Sequence, residues 1–292
     1  MRYDFGLLRR FFVRSPTVAF GVISLLAAGC ATLLGLDEER TLRADGGAAP
    51  TGGGGEAGGA VGSGGAGGAS RRYFDAVMAD EPIAYWRFEE EQGDFENEID
   101  RDRPLSPEAG VLHDARGAVG SGAGFDGDVS ADAGDHFAFA DDHDMTLEVW
   151  AWAPRPSGAA HYQHLVGKRQ VAGGNTNGYS LSLDTVPQLS FSRLQGTGSR
   201  NAEGAMIFES FVHIVATFDK KSGVSTLYIN GVEAEKKLDA GVINIPSTAG
   251  EPFRVAGSSN VRFKGTLDEL ALYEYALSED QVKAHYNVVR PP

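Results

Sequence analysis

Residues Phe211 to Val232, FVHIVATFDKKSGVSTLYINGV, constrain the fold of this chain more than any other stretch. Phe211, His213, Val215 and Thr217 alternate with Val212, Ile214 and Ala216, and the run is rich in β-branched and aromatic side chains. That is the pattern of a strand. Asp219 to Gly223 reads as a turn, with Gly223 free to take a positive φ. Val224 to Ile229 alternates again, and Asn230-Gly231 is a hairpin dipeptide. Strand, turn, strand, tight turn, strand describes an antiparallel β fold. It names no ligand.

The pattern recurs along the chain. Strands are expected at Ile83–Glu89, His136–Ala140, Met145–Ala153 (stopped by Pro154), His164–Lys168, Tyr179–Asp184, Gln188–Arg193 and Met206–Phe208. After the opening hairpin come Glu233–Lys237, Phe253–Ala256, Arg262–Phe263 and Thr266–Tyr273. Gly124 to Gly127 reads as a strand end and turn, and Glu90 to Gly122 as loops around short extended pieces. Gly173–Gly178 and Gly196–Gly204 read as long polar loops, where such folds place binding residues. Strands every 8–15 residues with Gly, Asn and Asp turns argue a β-sandwich. Two short helices flank it. Arg72–Ala79 places Tyr73, Ala76 and Val77 on one face. Ser278–Tyr286 opens with Ser278 as cap and Gln281 at the capping-box position.

The first ~70 of the 292 residues cannot pack a core; the remaining ~220 suit one all-β domain. A basic start, residues 1–17, leads into the apolar run Val18–Ala28, the length of a signal h-region. The string Leu26-Ala27-Ala28-Gly29-Cys30 resembles a bacterial lipobox, although Ala27 stands where leucine is usual. It implies cleavage before Cys30 and a diacylglycerol on its sulfur. The alternative is an uncleaved anchor, since no charge appears from Pro16 to Leu36, just enough to span a bilayer. Either way Arg9, Arg10 and Arg14 stay inside and the rest is exported. Arg9-Arg10-Phe11-Phe12-Val13-Arg14 also resembles a twin-arginine export signal, with an ordinary charged leader as the equal alternative. Ala31 after the cysteine is not the retention residue of the enteric pattern, which favours outer-membrane delivery. As the chain's one cysteine, Cys30 excludes an internal disulfide and a multi-cysteine metal site. Gly46 to Ala69 holds 13 glycines in 24 residues. With so few apolar side chains it cannot offset the entropy of ordering, and it reads as a tether. The net charge is −14; removing residues 1–29, with four arginines and one aspartate, makes it more acidic still. Such a chain repels phosphate backbones, so nucleic acid is not an expected partner.

Seven landmarks then fall in one order: Pro82-Ile83-Ala84-Tyr85-Trp86-Arg87-Phe88-Glu89, Phe125-Asp126-Gly127, Thr146-Leu147-Glu148-Val149-Trp150, Val212 to Asp219, Leu227-Tyr228-Ile229-Asn230-Gly231, Phe263 to Leu270, and Ala276-Leu277-Ser278 before the last helix. Over residues 72–288 the chain resembles the laminin-G-like jelly roll of the concanavalin A-like lectin/glucanase superfamily. Phe211-Val212-His213 departs from the Trp-His-His usual there. The resemblance implies an all-β, two-sheet antiparallel jelly-roll sandwich, one sheet concave, with short flanking helices. The expected organisation is a lipoprotein signal peptide over 1–29, a lipid-anchored, disordered glycine-rich linker over 30–70, and the jelly roll over 71–292. It implies much less about function, because members bind glycans, bind proteins or accompany enzymes.

The resemblance also implies that Asp268, following Gly265-Thr266-Leu267, helps hold a structural calcium. Glu89 or Glu90 would supply one further oxygen and Asp126 another, a donor set that suits a hard cation. The alternative is that Asp268 and Glu269 bond neighbouring backbone. Retaining glucanases of the superfamily carry paired strand carboxylates, and Glu98, Asp100 and Asp102 share parity here. Asn97, Arg101 and Arg103 would then fill the opposite face, so a solvated loop is the better reading. Trp86, Trp150 and Trp152 could stack on sugars, but strongly apolar surroundings favour core packing. His161 and His164, with Tyr162, lack a third ligand and read as surface loop. No nucleophile elbow, phosphate loop or His-Glu-x-x-His helix appears. The expectation is a non-catalytic, exported, lipid-anchored surface binder of carbohydrate or of a protein. A glycoside hydrolase on the same fold and an architectural envelope role are the alternatives.

Overall fold

The computed structural model describes residues 66–139, 143–156, 162–184, 187–238, 248–258 and 261–289, all within the compact unit Ala60–Pro292. Cys30, His161 and the signal, anchor and export readings lie outside the described residues. In chain order come α1 (Ala66–Ala79), β1 (Ala84–Trp86), β2 (Ser106–Pro107), β3 (Leu112–Arg116), β4 (Ser121–Asp126), β5 (Ala131–Asp132) and β6 (Met145–Trp152). Next are β7 (Gln163–Ala172), β8 (Asn175–Leu183), β9 (Gln188–Gln195), β10 (Gly198–Ala205), β11 (Val212–Asp219), β12 (Val224–Ile229) and β13 (Val232–Leu238). Last are β14 (Phe253–Val255), β15 (Gly257–Ser258), β16 (Val261–Arg262), β17 (Lys264–Tyr273) and α2 (Glu279–Val288).

Two antiparallel sheets form the body. One runs β13-β12-β11-β6-β17-β4-β3, with β1 added against β17; the other runs β10-β9-β8-β7-β14-β5-β2. Alternation directs Leu147, Val149, Ala151, Ile214, Ala216, Leu267 and Leu272 into the core between the sheets, against Leu181, Phe191, Phe253 and Val255. The jelly-roll sandwich is therefore as expected. One feature differs from a simple sandwich: β6 and β11 are buried on both faces. The outer set Trp150, Val215, Tyr228, Ala271 and Tyr273 packs under α1 and α2 through Tyr73, Val77 and Val282. The helices make a third layer.

Trp86 sits in the inter-sheet core, stacked on Phe253 and edge-on to Phe137. Helix α2 carries its expected capping box: Gln281 N donates to Ser278 Oγ at 3.3 Å, and Ser278 N donates to Gln281 Oε1 at 2.9 Å. Helix α1 starts at Ala66, inside the glycine-rich stretch and six residues before the predicted helix. Its first turns are held by tertiary contact, because Arg87 Nη2 donates to Ser70 Oγ at 2.6 Å.

Three expectations are corrected. No strand covers residues 136–139; the pairing falls at β5, and Phe137, at φ 57, turns its ring into the core from a loop. Met206–Phe208 is not a strand either, because β10 ends at Ala205 and Glu209 takes φ 63. The polar segments Gly173–Gly178 and Gly196–Gly204 are largely strand. Gly173 and Gly174, at φ 58 and 82, close a two-residue hairpin between Ala172 and Asn175. Gly196, at φ 61, helps close the hairpin between β9 and β10. Residues beside these turns are exposed, which explains their polar composition.

Candidate functional site

The outer face of the eight-stranded sheet gathers most of the unusual chemistry. Under the helices, Glu148 of β6 is fully enclosed. Its Oε1 accepts from Tyr73 Oη at 2.8 Å, His213 Nε2 at 2.7 Å and His285 Nδ1 at 3.0 Å. Its Oε2 accepts from Tyr273 Oη at 2.9 Å. Four elements thus meet on one carboxylate. Burial pushes that carboxyl up, but the His285 charge and the hydrogen bonds from both histidines outweigh it and hold it well below the usual range. Burial pulls His285 down, yet Glu148, with Asp80 at 3.1 Å from Nε2, pushes it up to about 9. This is a buried ion pair that clamps helices to sheet. Solvent does not reach it.

Along β17 lies a second acidic cluster. The register of β17 on β6 shifts between Asp268 and Ala271, and Glu269 takes φ 51. This bulge turns two consecutive carboxylates to the helix side, a device common beside functional sites. Tyr85 Oη donates to Glu269 in a very short hydrogen bond, and Arg87 Nη2 lies 3.5 Å from Glu269 and 3.4 Å from Glu89. Asp268 Oδ2 accepts from Val119 N at 2.9 Å, while Oδ1 is buried without a partner. Burial first, then Glu269, pushes Asp268 well above its ordinary value. Burial pushes Glu269 up to about 8 against the pull of Arg87.

The turn Gly117–Gly120 is pressed between these acids. A Cβ on Gly117 would lie 2.6 Å from Asp268 Oδ2, and one on Gly120, at φ 74, would overlap Glu89 Oε1. Glu89 Oε2 also accepts from Ser121 N at 3.2 Å. So Asp268 and Glu89, expected together, flank one backbone turn. Asp126 is elsewhere: it pairs with Lys264, four residues from Asp268, about 13 Å along the strand. Glu90 turns aside to accept from Glu96 N at 2.8 Å. Among the described residues no three His, Cys, Asp or Glu side chains converge as a metal site. A cation between Asp268 and Glu89 would take its remaining oxygens from backbone carbonyls and water. The orphaned, buried Asp268 Oδ1 fits that role.

Glu98–Asp102 is a surface turn. Asp102 N donates to Asp100 Oδ1 at 3.1 Å and Arg103 N to Asp100 O at 3.0 Å. Trp150 is buried, as expected, but beneath the helices; Trp152, two residues on along the same face, is only half-buried. It lines a groove with Leu112, Gly124, Pro154, Lys264 and Thr266. His164 is not surface loop: it is fully buried in β7, and burial, then Arg169 and Arg254, pulls it down to about 3. The Glu148 cluster was missed because nothing local in MTLEVWAW announces that both faces of β6 are covered. A single glutamate in an otherwise largely apolar strand was the available signal.

Similar folds occur in proteins of varied kinds. Domain 4 of an extracellular arabinanase from Geobacillus stearothermophilus, solved with arabinotriose, matches with TM-score 0.53 at 17% identity, over 72% of this chain and 98% of that one. The binding domain of Paraclostridial Mosquitocidal Protein 1 matches with TM-score 0.57 at 17% identity, over 72% and 52%. A Trypanosoma rangeli sialidase matches with TM-score 0.51 at 13% identity, over 76% and 38%. A search of curated proteins found no match. Such low identities speak for the fold, and the family rests on a separate match: residues 124–283, more than half of the chain, fit the model of the concanavalin A-like lectin/glucanases superfamily, to which this protein belongs.

Proposed function

We propose that this protein is a non-catalytic binder of the cell envelope, that its jelly roll holds carbohydrate, and that a lipid on Cys30 anchors it at the membrane. The observation that carries the non-catalytic reading is the state of the acids. Glu148 is enclosed by two tyrosines and two histidines, Asp268 and Glu269 are buried, and Glu98–Asp102 is a turn bonded to itself. Glycoside hydrolysis needs two carboxyls facing one open cleft, about 5 Å apart for retention and roughly 6.5–9.5 Å apart for inversion. The solved arabinanase domain with arabinotriose supports saccharide as the ligand class. Two of these neighbours are a domain of an arabinanase and a sialidase, which keeps hydrolysis as the second reading.

Incubating the full-length protein with neutral polysaccharides, arabinan among them, separates the readings. Retention on the polymer without release of reducing ends is expected. Release that disappears in the Glu98→Gln variant would establish the hydrolase instead. Capture of one protein partner with no glycan retained would favour the architectural role.

We further propose that Asp268 and Glu89, with carbonyls of the Gly117–Gly120 turn, hold a calcium ion. Its charge would favour the ionised form of Asp268 and fix the turn.

A further inference from the structure

The Trp152 groove belongs to neither buried acid cluster. It lies on the outer face of the eight-stranded sheet, where β3, β4, β17 and the end of β6 come together, and encloses about 280 Å³. Cross-strand pairing explains its make-up. Thr266 opposes both Trp152 and Gly124, so the indole, the hydroxyl and a bare backbone share one row. Lys264 opposes Asp126 in the next row outward. Leu112 walls the groove from β3 and is 60% exposed. Pro154 ends β6 beside the indole, and it stiffens that rim by fixing its own φ.

The walls are apolar and the rim is polar. The Lys264 ammonium and the Thr266 hydroxyl make no hydrogen bond or ion pair among the described residues. Asp126 uses Oδ1 to accept from Asp128 N at 2.8 Å; Oδ2 makes no hydrogen bond there. A donor, an acceptor and a hydroxyl therefore border a half-buried indole. Small-molecule sites have that composition, apolar walls with a few placed polar groups, and the groove falls just below their usual range of roughly 300–1,000 Å³.

We propose that this groove is a saccharide subsite that seats one neutral sugar ring on Trp152. A sugar ring has an apolar C–H face for the indole and hydroxyls at its edge for Lys264, Asp126 and Thr266. A purely aliphatic ligand would cover the Lys264 and Asp126 charges without giving them partners, at a cost. A polyanionic glycan would meet Asp126 and a chain of net charge −14. The proposal rests on the carbohydrate-binding reading above and adds the place and the ring contact.

Titration calorimetry of the full-length protein with arabinotriose and a panel of other neutral oligosaccharides tests it, together with acrylamide quenching of tryptophan. Trp86 and Trp150 are 0% exposed, so quenching reports Trp152. Saccharide should protect it. Trp152→Ala should bind about 30-fold more weakly, as for an aromatic anchor, while Trp152→Phe keeps most of the affinity. Lys264→Ala, on an exposed side chain that leaves folding intact, should weaken binding severalfold. Binding unchanged in Trp152→Ala and Lys264→Ala would overturn the subsite and leave the carbohydrate reading standing. No binding by the unaltered protein would overturn both. Displacement of a bound peptide from the groove, with no saccharide protection, would overturn the sugar as occupant.

Discussion

At the scale of single residues, Glu148 is where the fold is most exposed to damage. Removing one partner of a buried ion pair leaves the other charge unmatched, so Glu148→Gln should cost about 3–5 kcal/mol. The pH dependence has a definite sign. His285 moves from 6.5 to about 9 on folding, so its stabilisation is complete below pH 6.5 and is lost as pH rises through 9. Glu148 is held below 4.5, so its share is present above pH 4.5 and lost as pH falls. Glu269 runs the other way: raised to about 8, it favours the fold below pH 4.5 and loses that as pH rises through 8. Melting curves from pH 5 to 10 should show His285→Gln with a lower Tm at pH 6 and a shallower decline between 6.5 and 9. Equal slopes in the two proteins would remove His285 as the titrating group. Little of this network was legible beforehand. Glu148, His213 and His285 lie in three distant segments, and only the helices folded over the sheet turn an outward-facing parity into a buried one. Asp268 and Glu89 were legible through family landmarks, whereas Asp126 sat in a landmark of its own and was grouped with them without register to separate it.

At the scale of elements, turns were harder to read than strands. The opening hairpin forms where its alternation places it, as β11 and β12, because one face of each strand packs in the core. The segments around Gly173 and Gly196 carry polar residues on both faces, so periodicity is silent and only the glycine pairs mark the hairpins. The bulge in β17 was likewise invisible, since a shift of register is a property of two strands. That bulge makes the calcium proposal testable. Without a cation, burial and the neighbouring Glu269 favour the neutral form of Asp268, so the nearly isosteric Asp268→Asn should leave the melting temperature in chelator unchanged or slightly higher. With calcium at 100 times its Kd, binding to the native state alone adds about 2.7 kcal/mol. For a domain of this size that is roughly 5–11 °C. The unaltered protein should gain it and Asp268→Asn should not. A melting temperature indifferent to both chelator and calcium would dispose of the ion.

At the scale of the whole molecule, three layers explain why an acidic chain without disulfides holds a large sheet with two covered faces. The inter-sheet core is continuous, and the helix layer adds Tyr73, Val77 and Val282 over residues that a two-layer sandwich would leave wet. This leaves the β3–β4–β17 end of the outer face open, where Trp152 lies. The proposed anchor sits at the other extreme of the chain. Helix α1 starts at Ala66, so residues 31–65 would be the length available between a lipid on Cys30 and the folded body. Within it, the glycines of residues 46–65 leave few side chains to bind anything, which suits a spacer better than a contact surface. A body that reaches ligand from a tether does not need its own membrane contact, and no described helix is long and apolar enough to cross one. On the lipid-anchor proposal, membrane association should depend on one atom, the Cys30 sulfur. Cys30→Ser, expressed in a cell that exports and lipidates such chains, should move the protein to the soluble fraction while its saccharide affinity stays the same. If the variant still sediments with membranes, the uncharged stretch Pro16–Leu36 is holding the chain as an uncleaved anchor, and the lipid is not what displays the jelly roll.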